Sequence, residues 1–275
     1  MNYLQFDFET ETGRQTELLI ALLADQGFEG FEEEDNYLKA FIPEDKHDSA
    51  GFWQVLDKFS SISYTKTMVE QINWNQKWEQ DFKPVIVDGF VGIRAGFHQP
   101  TQGVIHDIII TPKMSFGTGH HATTYLMIQQ MEHINFNAKT VLDFGTGTGI
   151  LAILAKKLGA RRVVAIDYDE WSIINARENF ISNGANNILI EALDTVPLTE
   201  KYDVILANIN LNIIKANLKS IEQSLNAGAY CLLSGLLKEN EMEMRSAIAQ
   251  TRLQYLSTKQ KGDWIVLLLQ QGMGE

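Results

Sequence analysis

The sequence predicts an α/β protein: a seven-stranded, doubly wound sheet preceded by a small ferredoxin-like α+β domain. Two observations carry this. From Lys139 onward short apolar strands alternate with helices, the pattern of parallel strands joined by crossover helices, and the alternation ends in two long strands, 253–259 and 264–270, that meet as a hairpin across Lys261-Gly262-Asp263. Over the first 70 residues the order is instead β-α-β-β-α-β, a layout that supports many functions and identifies none.

Taken in order, the front domain reads as strand 3–8, helix 11–26, strands 28–33 and 36–42, helix 49–59 and strand 62–69. It has no glycine loop or convergent polar cluster, so binding a partner is its natural job. Trp74, Trp78 and Phe82 then recur every fourth residue, which puts an aromatic stripe on a short helix ended by Pro84. Such a stripe packs a core or a domain interface, and it marks residues 71–88 as a linker between a recognition domain, 1–70, and a catalytic domain, 89–275. Strand-like pieces at 89–96 and 104–111 lead into Ser115-Phe116-Gly117-Thr118-Gly119-His120-His121-Ala122-Thr123-Thr124, which opens a helix running to Met131. Threonines at that position can cap the helix or hold a ligand carboxylate against its free N–H groups, and taken alone they read better as caps. His120 and His121 belong to no nucleophile or metal array and read as structural.

The second glycine segment is the most informative. Thr140-Val141-Leu142-Asp143-Phe144 is a short strand, Gly145-Thr146-Gly147-Thr148-Gly149 a turn, and Ile150 starts a helix that Gly159 stops. Gly-x-Gly-x-Gly is tighter than the dinucleotide spacing Gly-x-Gly-x-x-Gly, whose third glycine serves packing around a pyrophosphate. An acid before the turn, Asp143, repels phosphate and suits the ammonium in the methionine part of S-adenosylmethionine. The next strand, 162–167, ends in Asp167, which follows Asp143 by 24 residues. That is near the ~20-residue offset at which an acid accepts hydrogen bonds from an adenosine ribose. The competing role for Asp167, capping the helix near Glu170, falls more naturally to Asp169. Beyond it the expected elements are helix 170–182, strands 187–191 and 202–207, helix 210–225, strand 229–234 and helix 239–249.

Composition bounds the function classes. No stretch approaches the ~18 uninterrupted apolar residues of a membrane span, and the N-terminus has no basic region followed by an apolar core. The one cysteine, Cys231, excludes an internal disulfide and sits in an apolar run as a packed thiol, and no Cys/His cluster suggests a metal. The chain therefore reads as cytoplasmic. Residues 1–60 hold 14 acids and 4 bases, a net of −10, while the other 215 supply 21 acids and 19 bases, a net of −2. So acidic a front disfavours specific contact with nucleic-acid phosphates and attracts a basic protein.

Four motifs together resemble the PrmA family of bacterial ribosomal-protein methyltransferases, within the class I S-adenosylmethionine-dependent methyltransferases. They are the Trp-x-x-x-Trp linker ending in Phe82-Lys83-Pro84, the loop from Phe116 to Thr124, the run from Asp143 to Leu151, and Ala207-Asn208-Ile209. The likeness is strongest from Phe116 onward and weak in the first 70 residues. It implies a Rossmann-like methyltransferase sheet, S-adenosyl-L-methionine as cofactor, and Thr124, Gly145, Asp167 and Asn208 as its ligands, with Gly147 and Gly149 completing the turn. It implies as substrate the basic large-subunit ribosomal protein eleven, methylated on lysine side chains and on its N-terminal amine, with Asn208 orienting the attacking amine. Nothing demands more than a monomer. The family usually has Thr-His-Pro-Thr-Thr where this chain has His120-His121-Ala122-Thr123-Thr124, and often cysteine where Thr146 stands; losing the proline loosens the loop without removing a functional group. Methyltransferases of a protein glutamine or a base amine carry an Asn-Pro-Pro-Tyr type motif, and Asn208-Ile209-Asn210-Leu211 lacks its prolines and its aromatic ring. A nicotinamide oxidoreductase is disfavoured by the glycine spacing and Asp143. A noncatalytic adaptor that has kept the fold is compatible with the sequence.

Overall fold

The computed structural model describes residues 3–10, 12–34, 37–59, 62–69, 82–111 and 119–273. The chain divides into two compact units, Met1–Gln80 and Asp81–Glu275. Trp74 and Trp78 of the expected linker helix, and Phe116, Gly117 and Thr118 of the first loop motif, lie outside the described residues.

The first unit has the expected order: β1 (Tyr3–Glu9), α1 (Gly13–Ala24), β2 (Gly30–Glu34), β3 (Tyr37–Pro43), α2 (Ser49–Leu56) and β4 (Tyr64–Val69). Its antiparallel sheet runs β2-β3-β1-β4, the ferredoxin-like arrangement. Alternation along β1 buries Leu4, Phe6 and Phe8 against Leu19, Leu23 and Phe52. Asp48 caps α2 by accepting the N–H groups of Ala50 and Gly51.

The second unit opens with a separate three-stranded sheet of β5 (Val85–Val87), β6 (Val91–Ala95) and β7 (His106–Ile110). The first two pair across a turn in which Asp88 and Gly89 both have positive φ, and β6 pairs in parallel with β7. Sequence reading found β6 and β7 without assigning them a sheet of their own and left β5 inside the 71–88 linker, because a short apolar run carries no signal of which partner it will pair with.

After α3 (Ala122–Met131) the large sheet is built from β8 (Thr140–Phe144), α4 (Ile150–Lys157), β9 (Arg162–Asp167), α5 (Glu170–Ser182), β10 (Leu189–Ala192), β11 (Tyr202–Asn208), α6 (Leu211–Ser224), β12 (Leu225–Leu237), α7 (Glu241–Ile248), β13 (Leu253–Lys261) and β14 (Trp264–Gln271). The seven strands run β10-β9-β8-β11-β12-β14-β13, parallel from β10 to β12 and antiparallel through β14 and β13. All five residues of β8 are buried, as a central parallel strand requires. Neighbours on β8 serve opposite cores: Val141 joins the cluster containing Ile153 and Phe180, and Leu142 the one containing Ile214 and Met244. Cys231 is fully buried, and burial pushes its thiol pKa up, so it is a packing residue. No helix among the described residues is long and apolar enough to cross a membrane. Strand order reverses between β8 and β11, and the crevice at their carboxyl ends is where such sheets bind ligands.

Candidate active site

The glycine turn is fastened to the end of β9. The N–H groups of Gly145 and Thr146 both donate to the carbonyl of Ile166, at 2.9 and 3.0 Å. Gly145, Gly147 and Gly149 all have positive φ, of 72°, 54° and 79°, a region that side chains disfavour. They differ in surroundings. A Cβ on Gly145 would lie 2.2 Å from the Ile209 side chain, and one on Gly149 would lie 2.5 Å from the Phe180 ring. Gly145 thus lets the chain after β11 close over the turn, and Gly149 lets α5 pack against it. Gly147 donates its N–H to Asp167 Oδ2 at 2.9 Å.

Asp167, 8% exposed at the tip of β9, receives the Asp169 N–H on its other oxygen at 3.1 Å. Asp169 caps α5 through the N–H groups of Trp171 and Ser172, as expected, so Asp167 is not the cap. Each Asp167 oxygen keeps acceptor capacity toward the cleft.

Asp143 departs from expectation. It is not part of the cleft wall but lies buried under the turn, where Oδ2 accepts the Thr146 hydroxyl at 2.6 Å and the Ala152 N–H at 3.2 Å. Its Oδ1 is buried without a partner among the described residues. Burial pushes its pKa up to about 7, opposed by the Thr146 and Ala152 hydrogen bonds and reinforced slightly by Asp167.

Asn208 ends β11. Its Nδ2 lies 3.4 Å from the Thr124 hydroxyl, and its Oδ1 is buried with no partner among the described residues. Thr124 is fully buried in the first turn of α3 and does not cap it. The cap is His121, whose Nδ1 accepts the Thr123 N–H at 3.3 Å and meets the Thr123 hydroxyl at 2.8 Å. An accepting Nδ1 requires a neutral ring with its proton on Nε2, and burial lowers the His121 pKa accordingly. Both threonines are thereby released from capping, which the residue types alone did not suggest.

Gly145, Gly147, Asp167 and Asn208 line one cleft of about 850 Å³, together with Phe144, Leu193, Asp194 and Trp264. Thr124 and Gly149 are not in its wall. Three features of the cleft escaped sequence reading. Gly235, at φ +83° in a bulge of β12, lies so close to the Ile209 backbone that a Cβ would sit 2.2 Å from the Ile209 carbonyl oxygen. A lone glycine inside a strand pattern is the available signal. Trp264 meets His121 edge-on at 4.5 Å between ring centres and gives the cleft an aromatic wall. Asp194 follows β10 as Asp167 ends β9, and position after a strand was its only mark.

The cleft fits S-adenosylmethionine chemically: a carboxylate to accept from a vicinal diol, an amide oxygen with no partner among the described residues, and apolar walls. Among the described residues no group of His, Cys, Asp and Glu is arranged to hold a metal ion.

Comparison with known proteins shows the family. The family model described as ribosomal protein L11 methyltransferase (PrmA) matches residues 14–272. A protein of that name from Bacteroides thetaiotaomicron is 34% identical over 273 residues, spanning 96% of this chain and 98% of its own. Another from Chlorobaculum tepidum is 37% identical over 285 residues, spanning 98% and 96%. The crystal structure of a ribosomal protein L11 methylase from Lactobacillus delbrueckii subsp. bulgaricus, 29% identical, superimposes with a TM-score of 0.65 and covers 70% of this chain and 100% of that one. The chain belongs to the ribosomal protein L11 methyltransferase family and is an S-adenosylmethionine-dependent methyltransferase.

Proposed function

We propose that this chain methylates ribosomal protein L11 on lysine side-chain amines and on the N-terminal amine, acting in the cytoplasm as a monomer without specific contact to nucleic acid. The observation that carries the reading is Asn208 Oδ1, a buried acceptor with no partner among the described residues, in a cleft that also holds Asp167 and the glycine turn. An unpaired buried acceptor costs roughly 1–3 kcal/mol, a cost that a bound N–H donor removes.

The cofactor supplies an electrophilic methyl on a sulfonium. In this reading Asp167 accepts the ribose hydroxyls, Gly145 and Gly147 bring the backbone close, and Gly149 lets α5 brace the turn. Thr124 holds the Asn208 amide so that Oδ1 receives the N–H of a neutral amine and aims its lone pair along the transfer axis. Such alignment is the main source of rate in a direct displacement. Trp264 and Phe144 exclude water from the aliphatic stem of the amine. The first unit, with its net of −10 over residues 1–60, fits recognition of a basic protein.

The test is mass spectrometry of purified L11 after incubation with the protein and S-adenosylmethionine, beside Asn208→Ala. Gains in steps of one methyl on lysines or the N-terminal amine, lost in the variant, support the proposal. Cofactor binding with no gain in mass on L11 sinks the substrate assignment.

A further inference from the structure

One side of α5 carries Asn175 and Asn179, and Asn183 follows at its C-terminal cap, a spacing of four residues that stacks all three on one stripe. None was singled out by the chemistry above. The three amides face the edge of β7 that β6 does not cover. Asn183 Oδ1 accepts the Ile109 N–H at 2.9 Å, and its Nδ2 donates to the Ile109 carbonyl at 2.6 Å. Asn179 Oδ1 accepts the Thr111 N–H at 2.7 Å, and Asn175 Nδ2 donates to the Thr111 carbonyl at 3.3 Å. The match is geometric. Four helical residues advance about 6 Å and two strand residues about 6.6 Å, so side-chain amides on a helix can stand in for a neighbouring strand.

Asn179 does one thing more. Its Nδ2 donates to the carbonyl of Thr148 at 2.8 Å, inside the glycine turn. It is fully buried, so neither bond competes with water. The turn is therefore gripped on two sides, by Asp167 at Gly147 and by Asn179 at Thr148. The other end of the Asn179 amide holds Thr111, where the chain leaves β7 on its way to the helix that carries Thr124. Gly149 is what admits this contact, since any side chain there would push Phe180 and α5 away.

We infer that Asn179 is a positioning residue for the cofactor: one buried amide that locks the glycine turn at Thr148 to Thr111 at the end of β7, so that the turn holds the geometry that binds the cofactor. The inference rests on the reading of the cleft as an S-adenosylmethionine site. If the unaltered protein does not bind that cofactor, the reading and the inference fall together, and this is seen before any variant is made.

The deciding comparison is between Asn179→Asp and Asn183→Ala. The aspartate keeps the size and the acceptor for Thr111 but faces the Thr148 carbonyl with an oxygen. The Asn183 variant cuts the same ladder at Ile109 and leaves the turn alone. By calorimetry, Asn179→Asp weakens S-adenosylmethionine about tenfold or more, while Asn183→Ala lowers the melting temperature and changes cofactor affinity less than about twofold. Unchanged affinity in Asn179→Asp, or equal losses in both variants, overturns the inference. If Asn179→Asp does not fold, hydrogen exchange on the unaltered protein decides. Cofactor that slows exchange at Thr111 as well as at residues 145–149 supports the lock, and protection of the turn alone refutes it.

Discussion

Gly235→Ala tests whether the backbone around Asn208, rather than the cleft as a whole, sets the rate. Gly235 has φ +83°, and a Cβ there would stand 2.2 Å from the Ile209 oxygen, 2.7 Å from its carbonyl carbon and 3.0 Å from its nitrogen. All three are backbone atoms, so no side chain can swing aside, and the Asn208–Ile209 segment must retreat by roughly 1 Å to restore van der Waals contact. The left-handed conformation adds about 1–2 kcal/mol for alanine, and forcing the extra carbon into packed structure about 1–3 kcal/mol more. A total near 3 kcal/mol lowers the melting temperature by roughly 6–12 °C in a unit of this size. The catalytic effect should be of comparable size, because about 1 Å of misplacement at an orienting group costs on the order of a hundredfold in rate. The assay is kcat for methyl transfer, measured well below the variant's melting temperature, beside calorimetric affinity for S-adenosylmethionine. A variant that melts lower yet keeps its kcat would refute the placement of Asn208 as the group that orients the amine.

Three further outcomes follow from the site. Asn208→Ala should lose about a hundredfold in kcat, and Asn208→Asp, which keeps an acceptor but cannot donate to Thr124, should fall between it and the unaltered protein; equal rates for all three in a single-turnover assay would remove Asn208 from the mechanism. Asp167→Asn keeps the volume but loses the charged acceptor, worth about 1.5–3 kcal/mol, so cofactor affinity should fall roughly 10–150-fold, and unchanged binding by calorimetry would reassign Asp167 to holding the turn alone. Asp143, pushed up to about 7 in the folded chain from 3.8, binds its proton more tightly folded than unfolded, so its contribution to stability is lost as pH rises from about 4 to about 7. The loss is on the order of 4 kcal/mol. Urea unfolding at pH 5 and pH 8 should therefore show Asp143→Asn gaining relative to the unaltered protein at the higher pH, and a difference independent of pH would contradict the assignment.

Residues whose role is written in spacing were legible in the sequence. Gly-x-Gly-x-Gly after a strand, with Asp167 at the end of the next, places the turn, the acid and the cleft because strand, turn and helix lengths are set by local backbone geometry. Asp169 as cap was legible for the same reason. What escaped depended on partners distant in sequence. Asp143 reads as a cleft residue until the Thr146 hydroxyl and Ala152 N–H are seen to claim it from inside the turn. Thr123 reads as a cap until the His121 ring takes the position, held edge-on by Trp264 from the far end of the chain. Gly235 reads as a weak spot in a strand until the Ile209 backbone is found against it.

The groups around the cleft also say where the proton of the substrate amine goes. A lysine with its ordinary pKa of ~10.4 is almost entirely ammonium at neutral pH, and an ammonium has no lone pair to attack with. A base in the protein would need an oxygen or nitrogen not already committed. Asp169 spends its carboxylate on the α5 cap, Asp167 holds the Gly147 and Asp169 N–H groups and in the proposed reading gives its remaining capacity to the ribose, and the accepting nitrogen of His121 is engaged with Thr123. Asn208 accepts hydrogen bonds but takes no proton. With Asp194 the one acid of the cleft wall not so engaged among the described residues, the expected course is that the amine loses its proton to water before it is gripped, aided by the apolar walls and the sulfonium charge, both of which disfavour an ammonium. Single-turnover methyl transfer to a lysine should accordingly rise about tenfold per pH unit up to the pKa of the bound amine, with no lower inflection from a protein carboxylate or imidazole. A bell-shaped profile would instead identify a protein base and require Asp194, the remaining acid of the cleft wall, to act in the reaction.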